Sequence, residues 1–324
     1  MSILVTGGAG YIGSHVVRLL EDRGEQVVVV DDLSTGIASR IPSTPLVKLD
    51  LAGPAAHEAL VQVCDDWSVD AVLHFAAQKH VGDSMADPTG YMRHNVGGLV
   101  NVLAAMESRR VDRLVFSSSA AVYGMPDGDG IREDVPCAPI NPYGQTKLIG
   151  EWMTKNAHRA WGLRVANLRY FNVAGAGSPE LADVVAQNLI PIVIDAVLDG
   201  RSPLVFGANH GTPDGTCIRD YIHVADLAAA HLAALDFLGL GGEAATDFNI
   251  GTGSGASVLD VVDLVSAVAG RPVTPVMTSA RTGDPANVVA DPSLARTLLG
   301  WEAVHTMEDI VRSAWEARTL TPAS

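Results

Sequence analysis

The stretch LVTGGAGYIGSH, residues 4–15, places a cluster of four glycines between an apolar run and a helix-like pattern. Ser2–Thr6 predicts a short buried strand, after which apolar residues recur at helical spacing: Ile12, Val16, Leu19 and Leu20. Gly7, Gly10 and Gly13 would let the backbone turn tightly and approach a pyrophosphate at the positive end of the helix. A tight turn alone would also explain this triplet, whose spacing differs from G-x-G-x-x-G.

Strand-like and helix-like stretches alternate outward from this loop. The strand-like ones are QVVVVDD (26–32), PLVKLD (45–50), AVLHFAA (71–77), RLVFSSSA (113–120) and LRVANLRYF (163–171), and the helical ones lie at 54–64, at 91–108 as one amphipathic helix, and from Pro142. Such alternation predicts an α/β fold with a doubly wound parallel sheet, Rossmann-like, whose ligands bind at the carboxyl ends of the strands.

The length of 324 residues allows two domains, or one large α/β unit with an added lobe. We expect a dinucleotide-binding domain over residues 1–173. A smaller α/β substrate-binding lobe then occupies residues 174–324, with some of its segments returning to the first domain. The helical patterns at 258–269 and 307–317 predict packing elements of that lobe.

Asp31, at the end of the second predicted strand, indicates which dinucleotide binds. A carboxylate there can accept hydrogen bonds from the ribose hydroxyls and would repel a 2′-phosphate. No arginine follows closely in DDLSTG, residues 31–36, so we expect NAD rather than NADP. Asp50 ends the third strand, where it could contact the adenine edge or cap a helix.

Composition excludes several classes of protein. The net charge of −15 disfavours nucleic acid and anionic membranes as partners. Cys64, Cys137 and Cys217 are scattered and lack metal-ligand spacing, so we expect reduced thiols and no metal site. The first ten residues lack the basic region of a signal peptide, and polar residues interrupt every apolar stretch. These features predict a soluble, cytoplasmic protein.

NPYGQTK, residues 141–147, predicts the start of a helix with chemistry on one face. Pro142 suits the first turn, and Tyr143 and Lys147 are four residues apart, one turn along that face. A neighbouring ammonium group favours the phenolate, so Tyr143 could remove a proton from a hydroxyl. An ordinary surface helix would contain such a pair as well, so the interpretation depends on the rest of the chain.

TGGAGYIGSH (6–15), FSSSAAVYG (116–124) and NPYGQTK together resemble the extended short-chain dehydrogenase/reductase family. The resemblance implies that Ser119, Tyr143 and Lys147 are catalytic. Ser117 and Ser118 would then be turn-forming neighbours. It also implies these cofactor contacts: Gly7, Gly10, Tyr11, Ile12, Gly13, Asp31, Asp32, Leu33, Ser34, Thr35, Gly36, Asp50, Leu51, Phe75, Ala76, Ala77, Lys79, Asn95, Ser119, Tyr143, Lys147 and Phe171.

Within the family, the chain is most similar, nearly end to end, to enzymes that epimerise C4 of a UDP-hexose. DGTCIRDYIHVADLA (214–228) and RTGDPANVVAD (281–291) carry this likeness, with Arg219 and Arg281 as forked donors suited to a diphosphate. Alone, either arginine would be read as a surface ion pair. The resemblance implies these substrate contacts: Lys79, Ser119, Tyr143, Asn172, Asn188, Leu189, Leu204, Val205, Phe206, Arg219, Arg281, Asp284 and Val288.

The implied reaction interconverts UDP-galactose and UDP-glucose through a transient 4-keto sugar, with NAD tightly bound and regenerated each turnover. Nucleotide-sugar dehydratases carry an Asp-Glu pair where this chain has Ala120 and Ala121, which disfavours elimination. The alternatives are a dehydratase or reductase of the same family, or a noncatalytic NAD-binding regulator, which would not need the complete set of catalytic residues.

Two departures from the family pattern bear on the substrate. The loop 173–187 is shorter than in well-known members, and Gln187 replaces an asparagine that contacts the nucleotide. Val288 stands at the gate of the sugar pocket, where strict glucose/galactose enzymes carry tyrosine. A smaller gate predicts activity on N-acetylated UDP-hexoses. The resemblance also implies a homodimer formed through the helices that contain Tyr91 and Tyr143, although the apolar faces of these helices could equally pack on the sheet.

Overall fold

The computed structural model describes residues 1–126, 128, 130–185, 188–241, 245–281 and 283–320. A seven-stranded parallel sheet has the order β10-β6-β5-β4-β1-β2-β3. Its strands are β1 Ser2–Thr6, β2 Gln26–Asp31, β3 Leu46–Lys48, β4 Ala71–His74, β5 Arg113–Ser117, β6 Arg164–Tyr170 and β10 Ala245–Ile250. This arrangement confirms the predicted doubly wound α/β fold.

Helices cover both faces of this sheet. On one face lie α1 (Tyr11–Asp22) and α8 (Val224–Gly239), which pack around Ile3 and Val5. The other face holds α2 (Ala56–Trp67), α5 (Gly98–Arg109) and α6 (Pro142–Trp161), which pack around Leu4. Because successive residues of a strand point to opposite faces, one apolar strand supplies both cores.

The predicted amphipathic helix over residues 91–108 is partly wrong. After α3 (Val81–Ala86), α4 (Pro88–Tyr91) continues into the wider turns of a π-helix, Met92–Gly97, before α5 begins. Within these wider turns, the Asn95 side chain accepts from the Gln78 N–H, donates to the Gln78 carbonyl and donates to Thr146 on α6 at 3.0 Å. These contacts come from distant parts of the chain.

The second lobe has its own core and two small sheets. In the larger sheet, β9 (Ile218–His223) pairs with β7 (Asn172–Ala174), β11 (Gly255–Ser257) and β13 (Asn287–Val288). The smaller one joins β8 (Leu204–Phe206) to β12 (Val276–Thr278). The helices α7 (Leu189–Leu198), α9 (Val258–Ala269) and α11 (Met307–Leu320) pack against the larger sheet.

Segments from beyond residue 173 also belong to the seven-stranded sheet and to the core packed on it. The strand β10 pairs with β6, α8 packs on α1, and Ala295 of α10 (Ser293–Leu299) joins the same core. A boundary at residue 173 remains a prediction.

Cys64, Cys137 and Cys217 are thiols that form no disulfide. Among the described residues there is no helix of the length and apolarity that a membrane span requires, and no cluster of His, Cys, Asp or Glu with the geometry of a metal site.

Candidate active site

The glycine loop between β1 and α1 is shaped for close backbone approach. Gly7 has φ +72°, and a Cβ on it would lie 2.6 Å from the Ala76 nitrogen. A Cβ on Gly13 would lie 2.3 Å from the Gly7 oxygen. Gly10 is the N-cap of α1 and has no capping side chain, which leaves the first helical N–H groups directed at the loop. This cradle fits the pyrophosphate of NAD.

The predicted cofactor segment 31–36 is a tight loop built around Asp31. Asp31 is buried, and it accepts hydrogen bonds from the backbone N–H groups of Ala9 (3.0 Å) and Leu33 (2.8 Å). Burial raises the pKa of Asp31, and these two hydrogen bonds oppose the rise. Since a carboxylate accepts about four hydrogen bonds, two positions remain for ribose hydroxyls. Gly36 packs so closely that a Cβ would lie 2.5 Å from Asp31 Oδ1.

Several of the other predicted cofactor residues surround the glycine loop. A Cβ on Gly7 would touch Ala76 and Phe75, and the Lys79 ammonium lies 5.9 Å from the centroid of the Tyr11 ring. Phe171 and Asn95 are buried, Ile12, Ala77 and Leu33 are half-buried, and Thr35 is exposed. Asp32 accepts from Ser34, and Leu51 is buried. Asp50 caps no helix, because Ala55 is the N-cap of α2 and Asp50 accepts from the Ala52 N–H at 2.9 Å.

The predicted catalytic residues meet where β5 ends and α6 begins. Asn141 caps α6 by accepting the Gly144 N–H at 2.8 Å, with Pro142 in the first turn. Tyr143 and Lys147 are both buried on the helix face toward β5. The Lys147 ammonium donates to the Ser117 carbonyl at 2.8 Å and lies 5.8 Å from the centroid of the Tyr143 ring.

The electrostatics of Tyr143 differ from the expectation. Burial raises the pKa of Tyr143 above its ordinary value, a hydrogen bond with the Ser119 side chain lowers it, and Tyr91 raises it slightly. Burial also lowers the pKa of Lys147 to about 8. The Ser119 side chain therefore favours the phenolate, while the Lys147 ammonium is directed at the Ser117 carbonyl. The role of Lys147 in activating Tyr143 stays a prediction.

The predicted substrate residues line the second lobe. Arg219 forms an ion pair with Asp284 and donates to the Ile218 carbonyl at 2.8 Å. The Arg281 guanidinium carbon lies 4.0 Å from the centroid of the Phe206 ring. Leu204 is 53% exposed, whereas the Val205 side chain is buried in the lobe core, so only its backbone can meet a ligand.

Four more of the predicted substrate residues lie on the same lobe. Asn172 is exposed at the start of β7, and Asn188 precedes α7 and donates to Asp183 at 3.1 Å. Leu189 is half-buried. Val288 pairs in register with Arg219 and packs in one cluster with Phe171 and Leu148 of α6. The predicted gate residue therefore connects the second lobe to α6. Gln187 lies outside the described residues.

Sequence reasoning missed the part played by Ser118, Glu151 and Arg169. Ser118 is not a mere turn residue, because its hydroxyl donates to Glu151 Oε1 at 2.5 Å. Glu151 and Arg169 are 0% and 3% exposed. One signal in the sequence could have revealed this pair. Glu151 follows the helical spacing of Tyr143 and Lys147, and Arg169 lies inside a strand pattern. Charged residues at such positions are almost never buried unless they are paired.

Known proteins resemble this chain in sequence and in fold. A UDP-glucose 4-epimerase of Azospirillum brasilense is 48% identical over 97% of this chain and 91% of its own length. The crystal structure of a UDP-glucose-4-epimerase from Stenotrophomonas maltophila, with bound NAD and formylated UDP-arabinopyranose, superposes with a TM-score of 0.93 at 38% identity, covering 99% of this chain and 98% of that one.

A second structure is relevant to the gate. The UDP-Glc/GlcNAc 4-epimerase from the human pathogen Campylobacter jejuni superposes with a TM-score of 0.86 at 34% identity, covering 99% of each chain. Residues 3–251 match the sequence pattern of a family described as NAD dependent epimerase/dehydratase. With its fold, its glycine cradle and these relatives, the chain belongs to the NAD dependent epimerase/dehydratase family.

Proposed function

We propose that this protein is an isomerase that interconverts UDP-galactose and UDP-glucose by NAD-dependent epimerisation at C4. The observation that carries the proposal is the buried meeting of Ser119, Tyr143 and Lys147 beside the glycine cradle. A phenol, a hydroxyl that bonds it and an ammonium are the groups needed to remove and return a hydroxyl proton. A regulator that only bound NAD would not need all three.

The turn that follows Ser119 distinguishes epimerisation from dehydration. Ala120 and Ala121 occupy the first two positions of this short 3-10 helix. Neither side chain can donate or accept a proton, so this turn offers no acid and base for eliminating water. Epimerisation needs no such pair, because the same tyrosine serves in both directions. This favours epimerisation over dehydration.

In the mechanism, NAD bound at the glycine cradle supplies a reversible hydride acceptor. Tyr143 takes the proton of the sugar 4-hydroxyl and later returns it, while Ser119 hydrogen-bonds the same oxygen. Lys147 holds positive charge beside the phenol, with its ammonium anchored on the Ser117 carbonyl. Arg219 and Arg281 hold the diphosphate while the 4-keto sugar turns over, which presents its opposite face.

Arg219 would share its charge between the diphosphate and Asp284, its partner in the structure. That pair keeps the guanidinium in place before substrate arrives, so less side-chain entropy is lost on binding. Arg281 stacks on Phe206 and is similarly placed. These assignments, like those of the cofactor residues, are part of the proposal.

The test incubates the purified protein with UDP-galactose, without added NAD, and follows formation of UDP-glucose. We expect turnover, because the cofactor is regenerated in each cycle and stays bound. Tyr143→Phe is expected to lower kcat by at least about 10³-fold while NAD remains bound. Thr154→Val, which removes a buried hydroxyl from the same helix, serves as the control. Substantial activity in Tyr143→Phe would contradict the assignment.

Three finer points complete the proposal. Half-buried Val288 leaves room at the gate for a 2-acetamido group, and the similarity to the UDP-Glc/GlcNAc 4-epimerase from Campylobacter jejuni supports this. We also propose a homodimer, supported by Trp152 of α6 and Val100 of α5, which are 56% and 50% exposed. The three unbonded thiols support a location in the cytoplasm.

A further inference from the structure

Three consecutive serines each contact a different residue of one stripe on α6. The stripe is Tyr143, Lys147 and Glu151, spaced four residues apart and buried. The Ser117 carbonyl accepts from Lys147 at 2.8 Å, the Ser118 hydroxyl donates to Glu151 at 2.5 Å, and the Ser119 side chain lies beside Tyr143 and lowers the pKa of its phenol. The proposed mechanism uses the first and last of these contacts and leaves the middle one without a role.

Glu151 is fixed by a second buried residue, Arg169 of β6. Arg169 binds both carboxylate oxygens, through Nε at 2.9 Å and Nη2 at 2.7 Å. Its Nη2 also donates to Asp247 at 2.6 Å, and Lys155 donates to the same carboxylate oxygen at 2.6 Å. Two cations thus face two carboxylates, which is the condition under which buried charges are tolerated. Glu151 therefore has little freedom to move.

The same arginine reaches the far end of the loop that carries Ser119. We name residues 117–123 the serine loop. Arg169 Nη1 donates to the Tyr123 hydroxyl at 3.0 Å, and Tyr123 donates to Asn249 at 2.7 Å. One guanidinium–carboxylate pair thereby anchors the serine loop at Ser118 and at Tyr123, on either side of Ser119.

We propose that Glu151 and Arg169 are positioning residues, which hold both ends of the serine loop so that Ser119 stays against Tyr143. The inference rests on the proposed epimerase function and extends it to residues that touch no substrate. It makes the Ser118 hydroxyl the link between the charged pair and the catalytic serine. Loss of that link would loosen Ser119 and so weaken activation of the phenol.

Ser118→Ala tests this link and leaves the charged pair intact. We expect kcat on UDP-galactose to fall about tenfold, with KM changed less than twofold, because the substrate contacts are untouched. In a Ser119→Ala background the same change is expected to alter kcat less than twofold, since Ser118 acts through Ser119. An equal loss of kcat in both backgrounds, or an unchanged kcat in Ser118→Ala, would overturn the proposal.

A titration gives a readout independent of turnover. Ultraviolet difference spectra against Tyr143→Phe, both with NAD bound, report ionisation of Tyr143. In Ser118→Ala we expect its midpoint to rise by about half a pH unit or more. Tyr91, Tyr170 and Lys147 also face the phenol and are unchanged in this variant, so the shift reports the serine. An unchanged midpoint would contradict the positioning role.

Two further variants separate positioning from stability. Thr154→Val removes a buried hydroxyl one turn along α6 that bonds Asn167, and it is expected to lower Tm without changing kcat or the Tyr143 midpoint. Tyr123→Phe removes the other anchor and is expected to reproduce the loss of kcat; a full kcat in this variant would count against the two-ended anchor. If the unaltered protein does not convert UDP-galactose, the proposed function fails, while the titration still tests the positioning.

Discussion

Lys147 places a positive charge where the surroundings disfavour one. Its side chain is buried, its ammonium donates to the Ser117 carbonyl, and burial lowers its pKa from 10.5 to about 8. Between these two pH values the unfolded chain holds a proton that the folded protein does not. The free energy of unfolding therefore gains a contribution as pH rises from about 8 to 10.5, whereas below pH 8 the cost of the buried charge is constant.

Lys147→Met is accordingly expected to stabilise the fold and abolish turnover. Replacing the charge with an apolar side chain of similar length should raise the free energy of unfolding at pH 7 by about 2 kcal/mol, after about 1 kcal/mol for the lost hydrogen bond. Urea denaturation at pH 7 and pH 10 measures this, and the gain should shrink at the higher pH. A less stable Lys147→Met protein at pH 7 would refute the expectation.

Val288 offers a test of substrate range at a single side chain. It packs with Phe171 and Leu148, so a larger residue there would extend along the edge of that apolar cluster. We expect measurable epimerisation of UDP-N-acetylglucosamine by the unaltered protein. Val288→Tyr should lower that activity at least about tenfold and keep activity on UDP-galactose within about threefold. Equal loss on both substrates would argue against a gate.

At the level of elements, periodicity predicted most strands and helices because apolar spacing is a local property. The glycine loop, the strands up to β6 and the start of α6 follow from it. The π-helical turns at Met92–Gly97 did not, and the Asn95 side chain within them meets Thr146 of α6 only through a tertiary contact. The pairing of Ser118 with Glu151 is likewise invisible in spacing. It joins residues 33 positions apart on different elements.

The exposed faces of α5 and α6 give a prediction about assembly. Trp152 exposes 56% of its surface on α6, more than expected of a large aromatic residue in a monomer. We expect Trp152→Glu to weaken the dimer and lower the mass measured by light scattering. Leu240→Glu alters a residue 89% exposed at the end of α8 and should leave the mass unchanged. A monomeric unaltered protein would refute the proposed dimer.

For the whole molecule, four buried histidines lower the free energy of unfolding in acid. Burial lowers the pKa of His15, His223 and His231 to about 4 and that of His74 to about 3, from an ordinary 6.5. As pH falls below 6.5, the unfolded chain binds protons that these folded side chains do not. The free energy of unfolding must then fall, by up to about 1.4 kcal/mol per histidine for each pH unit.

We therefore expect stability to decline by about 4 kcal/mol between pH 6.5 and pH 5.5, measured by urea denaturation. His231→Leu removes one of the four groups and should make the decline about a quarter shallower. A flat stability profile over this range would contradict the assignment of neutral, buried rings.

The return of β10 to the first sheet has a consequence during synthesis. The strand β6 ends at Tyr170, and its neighbour β10 begins at Ala245, 75 residues later. At about 5–20 residues per second, the ribosome needs on the order of 4–15 seconds to supply it. During that interval β6 is an open edge, able to pair with another nascent chain. On polysomes, where sibling chains are close together, this interval is when the protein is most exposed to aggregation and most in need of a chaperone.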